Sequence, residues 1–300
     1  MASRQTISYL TRRFREVGFE PVSRHGQNFM IDMNLQGMLV DAADLSPDDV
    51  VLEVGTGTGA LTALMAPRVA AIITVEIDQR LFQMASDELI DATNVTLLSF
   101  DVLHNKNRLD PRVMDAVGQA LAGRAGGRLK LVANLPYSVA TPIISNLLSA
   151  EHVPRTMVVT VQKELAERLA AGPGTKDYGA LSIWVQSQCR VQLLRVLPRT
   201  VFWPRPKVES AFVRIDVDEE LRARIPDRTV FHEFVRSLFL HRRKLLRGVL
   251  ATLYKQQLTK PQVDELIAEL GFTPDQRAEQ LDVEQMLALC AAVQTRVTPN

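Results

Sequence analysis

The sequence predicts an α/β protein followed by an all-α C-terminal region. Short apolar segments of strand length alternate with helical patterns as far as about residue 217, and only helical patterns follow Asp218. A glycine-rich turn follows one early strand, and acidic residues end the next two strands. Such alternation is typical of a parallel sheet covered by helices, and ligands bind at the carboxyl ends of its strands. We therefore expect a ligand site at that edge of the sheet.

Length and composition limit the class of protein. The 300 residues are 46% hydrophobic and 23% charged, which suits one large domain or a domain with an appendage. No window approaches the roughly 18 apolar residues of a membrane helix, and the N-terminal residues lack the apolar core of a signal peptide. Cys189 and Cys290 are far apart and have no metal-ligand neighbours. We expect a cytoplasmic protein without a metal site.

The N-terminal third supplies the glycine-rich turn. Helices are predicted at 7–17 and 35–45, and a strand at 50–54 runs into Gly55-Thr56-Gly57-Thr58-Gly59 before a helix from Ala60. Glycines permit a positive φ and a close approach of the backbone to a ligand. The spacing is G-x-G-x-G, because Ala60 stands where the dinucleotide motif G-x-G-x-x-G needs glycine.

Acidic residues end the next two predicted strands, 71–75 and 95–100. Glu76 lies 21 residues after Gly55, where an acidic side chain can accept hydrogen bonds from both ribose hydroxyls of an adenosine cofactor. Asp101 can accept from an adenine amine. The alternative for a carboxylate at a strand end is a helix N-cap, for which Asp78 is the better candidate because a helix to Ile90 follows it.

The stretch Asn134-Leu135-Pro136-Tyr137 ends a further apolar strand, 129–133, and precedes a helical segment at 140–148. The amide oxygen of the Asn and a backbone carbonyl can accept from an exocyclic amine, while the ring can stack on a base. The alternative is a strand that ends in a proline turn with a half-buried Tyr, since Pro and Asn are ordinary turn residues.

The remaining segments continue this pattern and then change. A helix is predicted from Asp110-Pro111 to Leu121. Later strands are predicted at 156–162, 191–196 and 211–217, the last two paired, with helices at 163–170, 178–188, 231–253, 261–270 and 283–293. A proline-rich loop at 202–207 joins the paired strands. We place a domain boundary near 218–228, which gives domains 1–220 and 221–300.

Charge is distributed unevenly although the net charge is only +1. Residues 195–247 contain thirteen Lys and Arg against seven Asp and Glu, whereas residues 51–110 contain four against eight. An acidic half and a basic half indicate a cofactor lobe and a lobe that binds a polyanion. The alternative is a set of solvated helix faces.

Taken together, the ordered motifs resemble those of the ribosomal RNA adenine N6,N6-dimethyltransferases of the KsgA type, from about Gly18 to Leu289. The segments that carry the likeness are Gly26 to Asp32, Glu53 to Gly59, Val75 to Asp78, Asn134 to Tyr137, Val161 to Glu164, Lys176 to Gly179, Phe202 to Ala211, His241 to Arg247 and Arg277 to Glu279. The resemblance implies a seven-stranded Rossmann-like S-adenosylmethionine methyltransferase domain with a small all-α C-terminal domain.

The resemblance also implies roles for individual residues. The cofactor would be bound by Gln27, Asn28, Met30, Gly55, Gly57, Glu76, Asp101 and Asn134, and catalysis would depend on Asn134, Leu135, Pro136 and Tyr137. Phosphates of RNA would contact Arg205, Lys207, Arg242, Arg243, Lys244 and Arg247. Phe202 either covers the second face of the target base or is a core residue. The chain departs from the family at His25, where leucine is usual, and in a longer segment between Asp101 and Asn134.

The resemblance implies dimethylation of two adjacent adenosines in a hairpin near the 3′ end of small-subunit ribosomal RNA. The partner would be the immature small ribosomal subunit, and the enzyme a cytoplasmic monomer that acts in ribosome biogenesis. Three alternatives stay open: a macrolide-resistance methyltransferase of large-subunit RNA, a non-catalytic assembly or transcription factor, and a nicotinamide dehydrogenase. The segments 271–274 and 277–279 argue against the macrolide-resistance enzyme. The intact motif residues argue against a non-catalytic factor, and the G-x-G-x-G spacing argues against a dehydrogenase.

Overall fold

The structure, a computed structural model, describes residues 6–21, 27–124 and 126–297, and it confirms the α/β class. The strands are β1 Phe29–Met30, β2 Val50–Val54, β3 Ala71–Glu76, β4 Val95–Ser99, β5 Leu103–Asn105, β6 Arg108–Leu109, β7 Leu129–Asn134, β8 Thr156–Gln162, β9 Cys189–Leu197, β10 Phe202–Trp203 and β11 Ser210–Val217. Apart from β1, β5, β6 and β10, which form two small two-stranded sheets, all of these were predicted within two residues.

The helices follow the predicted order with two exceptions: a short helix at 219–223 was not predicted, and the predicted helix 231–253 is divided in two. They are α1 Ile7–Glu16, α2 Met33–Asp41, α3 Ala60–Met65, α4 Gln79–Glu88, α5 Pro111–Leu121, α6 Ala140–Leu147, α7 Lys163–Ala170, α8 Ala180–Gln186, α9 Glu219–Ala223, α10 Arg228–Phe239, α11 Leu246–Leu253, α12 Lys260–Glu269 and α13 Val283–Val297. Asp32, Asp78 and Asp110 each cap a helix by accepting a hydrogen bond from its first backbone N–H groups. Asp78 is thus the capping residue that the sequence predicts.

The main sheet has seven strands in the order β4-β3-β2-β7-β8-β11-β9. The pairs β4–β3, β3–β2, β2–β7 and β7–β8 are parallel, whereas β8 and β11 are antiparallel. Parallel strands end at the same edge of a sheet, so the segments that follow β2, β3, β4 and β7 lie along one edge. Gly55 and Asp101 lie in the segments after β2 and β4, and Glu76 and Asn134 are the last residues of β3 and β7, so all four residues lie along this edge.

The central strands are buried because helices cover them. Val51, Val132 and Val158 of neighbouring strands pack with Leu39 of α2 in one apolar cluster. Lys130 interrupts the apolar pattern of β7, yet it is buried as well. Its Nζ lies 2.9 Å from the Asp49 carboxylate, which is also buried, and donates to backbone carbonyls at the end of α2. The ion pair and these hydrogen bonds offset the free-energy cost of burying the Lys130 charge.

One predicted helix, 231–253, is wrong: it is two helices, α10 and α11, separated by a turn at 240–245. The break has a tertiary cause rather than a proline or glycine. Leu245 forms an isolated bridge with Arg277, and the Leu246 N–H donates to the Gln276 carbonyl. Those hydrogen bonds replace the helical ones. The basic residues 242–244 therefore lie on a turn and not on a helix face.

The chain divides into two compact units. The first comprises Met1–Ala166 and Val191–Val217, and the second comprises Glu167–Arg190 and Asp218–Asn300. The second unit therefore includes residues 167–190, which the predicted division at residue 220 assigns to the first domain. None of the helices in the described part of the chain is both long enough and apolar enough to span a membrane.

Candidate active site

A cavity of about 330 Å³ opens at the predicted edge of the sheet, within the first unit. Every cofactor residue named from the sequence lines it. The lining includes Gln27, Asn28, Met30, Gly55, Gly57, Glu76, Asp101 and Asn134, together with Gln36, Glu53, Phe100, Pro136, Ser138 and Val139. The structure thus brings together residues that are spread over more than one hundred positions in sequence. His25 and Gly26 lie outside the described residues.

The glycine loop forms one wall of the cavity. Gly55 and Gly57 have φ values of 82° and 57°, in the left-handed region that favours glycine. A Cβ at Gly55 would lie 3.2 Å from the ring of Pro136, and a Cβ at Gly57 would lie 3.3 Å from the ring of Phe29. Glycine is therefore required both by the backbone conformation and by the close packing of the loops on either side.

Glu76, the last residue of β3, binds the glycine loop through hydrogen bonds. Its two carboxylate oxygens accept from the backbone N–H groups of Gly57, at 2.8 Å, and Asp78, at 3.0 Å. Burial raises the pKa of the Glu76 carboxyl above its usual range, and these hydrogen bonds oppose the rise. Each oxygen retains acceptor capacity toward the cavity, as a contact to ribose hydroxyls requires.

Glu53, to which the sequence analysis assigned no role, is a second acid in the cavity wall. It is buried in β2 and accepts from the hydroxyls of Thr62, at 2.5 Å, and Thr74, at 2.7 Å. Burial raises the pKa of its carboxyl to about 7, and the nearby Glu76 adds to the rise. A signal was present in the sequence: Glu53 is the only charged residue in the strand that leads into the glycine loop.

The longer segment after β4 adjoins the same cavity. Asp101 is exposed at the rim, and its carboxylate accepts from the Leu103 N–H at 2.9 Å. Beside it, the guanidinium of Arg112, at the start of α5, lies 3.7 Å from the centre of the Phe100 ring. Such contact is a cation–π interaction. The additional helix therefore supports the part of the wall formed by Phe100.

The stretch from Asn134 to Tyr137 is ordered by contacts on both sides. The Asn134 side-chain amide donates to the Asn28 carbonyl at 2.9 Å, which fixes its orientation. Within the described chain, no group donates to the Asn134 Oδ1. The Leu135 N–H donates to the Thr160 carbonyl of β8, and the Leu135 side chain is buried. An oriented amide oxygen at the cavity edge is suited to accept from an amine.

Tyr137 lies just outside the cavity lining and is half-buried. Its hydroxyl shares a hydrogen bond with the hydroxyl of Ser210, with 2.5 Å between the oxygens. Phe202, by contrast, is 1% exposed and belongs to the apolar core, where it pairs with Met30 across β1 and β10. Of the two interpretations of Phe202, the structure favours the core residue.

The basic residues predicted to bind RNA in the first unit are exposed. Arg205 and Lys207 both have exposed side chains on the loop after β10. The structure adds Arg199, which the sequence analysis did not single out and whose guanidinium donates to the Lys207 carbonyl at 3.4 Å. These three cations form a basic surface that suits phosphate groups.

In the second unit, the predicted RNA-binding residues fall into two groups. Arg242 donates to the Lys176 and Tyr178 carbonyls and pairs with Glu279, while Arg247 pairs with Asp264. Arg243 and Lys244 are exposed, and no ion pair holds either of them in the part of the chain that the structure describes. The turn at 240–245 therefore presents two cations to solvent, next to the exposed Leu240.

The chemistry of the cavity suits a positively charged adenosine cofactor. Glu53, Glu76 and Asp101 supply carboxyl groups, of which Glu53 ionises only at about pH 7. In the part of the chain that the structure describes, the buried Oε1 of Gln36 has no hydrogen-bond partner. Residues 6–21, 27–124 and 126–297 contain no cluster of three His, Cys, Asp or Glu side chains that suits a metal ion. The fold and this site define the class of Rossmann-like S-adenosylmethionine methyltransferases.

Similarity to known proteins is consistent with this class. A family model for ribosomal RNA adenine dimethylase matches residues 19–295. The chain is 40% identical over 277 residues to ribosomal RNA small subunit methyltransferase A of Geobacillus kaustophilus (strain HTA426). The aligned residues cover 92% of this chain and 92% of that protein. The chain belongs to the ribosomal RNA adenine dimethylase family. It is therefore an S-adenosylmethionine-dependent enzyme.

Solved structures of low sequence identity share the fold. A dimethyladenosine transferase from Plasmodium falciparum matches with a TM-score of 0.72 and 24% identity, covering 88% of this chain and 97% of that one. The 23S rRNA methyltransferase ErmE matches with a TM-score of 0.60 and 22% identity, covering 89% and 100%.

Proposed function

We propose that this enzyme transfers two methyl groups to the N6 amine of each of two adjacent adenosines in a hairpin near the 3′ end of small-subunit ribosomal RNA. The observation that carries the chemistry is the oriented Asn134 amide at the edge of an acidic adenosine cavity. The choice of small-subunit RNA is supported by the 40% identity to a ribosomal RNA small subunit methyltransferase A. We also propose a cytoplasmic monomer that acts on immature small subunits during ribosome biogenesis.

The difficulty of the reaction lies in the acceptor. The lone pair of an adenine amine is delocalised into the ring, and hydrogen bonds from both amine hydrogens favour a pyramidal nitrogen. We assign these acceptors to the Asn134 Oδ1 and the Leu135 carbonyl, with Pro136 holding the turn. S-adenosylmethionine supplies the methyl group as a sulfonium, so a neutral thioether leaves when the new C–N bond forms. The surplus amine proton passes to water, and the contribution of the protein is orientation and electrostatics.

The target adenine has to leave its stack to reach Asn134. We assign the stacking surface to the ring of Tyr137, a contact worth about 1–3 kcal/mol per base. Phosphate contacts, which position RNA without reading its sequence, are assigned to Arg205, Lys207, Arg243 and Lys244 because their side chains are exposed. Arg242 and Arg247 have protein partners and would have to exchange them for phosphate.

The test is incubation of the protein with isotope-labelled S-adenosylmethionine and unmethylated small ribosomal subunits, followed by mass spectrometry of the nucleosides. We expect N6,N6-dimethyladenosine at two neighbouring positions. Large ribosomal subunits serve as the control substrate, because ErmE shares the fold. Labelling of large-subunit RNA alone, or monomethyladenosine as the only end product on small subunits, would overturn the proposed function.

A further inference from the structure

We infer that Ser210 is a positioning residue that fixes the ring of Tyr137 for the target adenine. This inference rests on the proposed function. Ser210 is the first residue of β11 and is 0% exposed, and its hydroxyl lies 2.5 Å from the Tyr137 hydroxyl. The two residues are 73 positions apart in sequence. Tyr137 lies on the loop after β7 and Ser210 begins β11, and these two strands lie on either side of β8. The buried Ser210 hydroxyl therefore holds the hydroxyl end of the Tyr137 side chain.

Ser210 is itself held firmly. It pairs with Gln162 in the antiparallel register of β8 and β11. Immediately before it, the Glu209 carbonyl accepts from the Lys163 N–H at 3.0 Å, and the Glu209 carboxylate lies 3.0 Å from the Lys163 Nζ. The Ser210 hydroxyl is therefore a fixed point relative to the sheet, whereas Tyr137 stands on the loop after β7.

The hydrogen bond restricts rotation of the Tyr137 ring. A Tyr side chain has two rotatable bonds that place its ring, and a contact at the hydroxyl end restrains both of them. Burial raises the pKa of the Tyr137 phenol, so it stays protonated at neutral pH and the bond persists. A stacking ring contributes most when its plane is set before the base arrives, because little freedom is then lost on binding.

The activity of variants distinguishes a purely structural role of the Tyr137–Ser210 hydrogen bond from a positioning role. Removing one hydroxyl leaves the other buried without a partner, which destabilises the fold, whereas removing both leaves two apolar groups of similar shape and restores much of the stability. If the bond only satisfies buried polar groups, activity will recover together with stability. If the bond positions the ring, the double variant will be stable and still slow.

The experiment compares Ser210→Ala, Tyr137→Phe and the double variant. Each is measured for its melting temperature, its dissociation constant for S-adenosylhomocysteine, and kcat and KM on unmethylated small subunits. We expect kcat to fall between about twofold and tenfold in each single variant, the range given by one neutral hydrogen bond. The double variant should melt near the wild-type temperature and keep the reduced kcat. The dissociation constant should not change.

Ser187→Ala is the matched control, because Ser187 is a buried serine whose hydroxyl donates to a backbone carbonyl in the second unit. We expect this variant to keep the wild-type kcat. Wild-type kcat in Ser210→Ala, or recovery of kcat in the stable double variant, would overturn the inference while leaving the proposed function intact. A wild-type protein that forms no dimethyladenosine would overturn both.

Discussion

At the scale of single residues, Glu76 illustrates how one side chain connects two loops. Its carboxylate holds Gly57 and Asp78 and lines the cavity at the same time. Glu76→Ala should weaken binding of S-adenosylmethionine by at least about tenfold, since a hydrogen bond to a charged group contributes about 1.5–3 kcal/mol. Isothermal titration calorimetry measures the affinity, and circular dichroism verifies the fold.

Asp87→Ala is the control for this prediction, because Asp87 is an exposed acid on the helix that follows Glu76. It should bind the cofactor as the wild type does. Unchanged affinity in a folded Glu76→Ala protein would remove Glu76 from the cofactor site.

Asn134 is expected to act on the rate and not on binding. Asn134→Ala should change the affinities for cofactor and RNA far less than it changes kcat, which should fall at least about 100-fold because the lost interaction is needed in the transition state. Single-turnover methylation of small subunits measures this loss. Asn146→Ala, which removes only a long 3.4 Å contact to the Lys106 carbonyl, is the control. Dimethyladenosine formed by Asn134→Ala at the wild-type rate would refute the assigned mechanism.

Glu53 should make cofactor binding depend on pH. Its pKa in the folded protein is about 7, against an ordinary value of 4.5, so the folded state holds this proton over that interval. The contribution of Glu53 to the free energy of unfolding therefore falls as pH rises from about 4.5 to about 7 and is constant above. A cationic ligand prefers the ionised carboxylate, so affinity for S-adenosylmethionine should rise as pH increases through about 7.

Glu53→Gln should remove this dependence, because the amide does not titrate. Calorimetry from pH 5.5 to 8.5 measures the affinity of both proteins, and urea unfolding over the same range measures their stability. A wild-type affinity that stays flat across pH 7, or a variant with the same pH profile as the wild type, would show that Glu53 does not titrate against the ligand.

At the scale of elements, the turn at 240–245 changes the expectation for RNA binding. In the part of the chain that the structure describes, Arg243 and Lys244 of this turn are exposed and have no ion pair, whereas Arg247, just after the turn, is paired with Asp264. Arg243→Glu with Lys244→Glu should reduce the log–log salt slope for small-subunit binding by about two, since each lost phosphate contact removes about one. Filter binding between 50 and 300 mM salt measures this slope.

Lys255→Glu with Lys260→Glu is the matched control for this prediction. It makes the same charge change in the same unit but outside the turn. If both double variants lowered the slope equally, the effect would reflect net charge and not contacts of the turn.

Some elements could be predicted to the residue, and others could not. The bounds of β2 and β8 were predicted to the residue, because each is a short, mostly apolar segment with turn or helix signals at its ends. The break between α10 and α11 was not, because it depends on hydrogen bonds to Gln276 and Arg277, some thirty residues away, and no proline or glycine marks it. The two small sheets were missed because strands of two or three residues carry no periodic signal.

The same distinction applies to the site. Gly55, Glu76, Asp101 and Asn134 could be found because each ends or closely follows a parallel strand, and parallel strands end at one edge of the sheet. The hydrogen bond between Tyr137 and Ser210 could not be predicted, because it depends on β7 and β11 both being neighbours of β8 in the sheet. Side-chain partners that lie across a sheet leave no trace in local sequence.

At the scale of the whole molecule, the two compact units should respond to different ligands. All residues that line the cavity belong to the first unit, and the turn at 240–245 belongs to the second. In hydrogen–deuterium exchange, S-adenosylhomocysteine should protect the backbone at 55–59, 76–78 and 134–139, and small-subunit RNA should protect 240–245. Cofactor-induced protection at 240–245 that equals protection at the glycine loop would contradict this division.

The packing of Gly55 against Pro136 has a thermodynamic consequence. The glycine loop and the loop after β7 are packed so closely that a Cβ added at Gly55 would lie 3.2 Å from the ring of Pro136. A ligand that alters the free energy of one loop therefore changes the other, and linkage requires the effect to be reciprocal. The factor by which bound donor changes the affinity for RNA equals the factor by which bound RNA changes the affinity for the donor. An inhibitor designed for the adenosine cavity would then also act as an effector of RNA binding, and its potency would depend on how much substrate RNA is present.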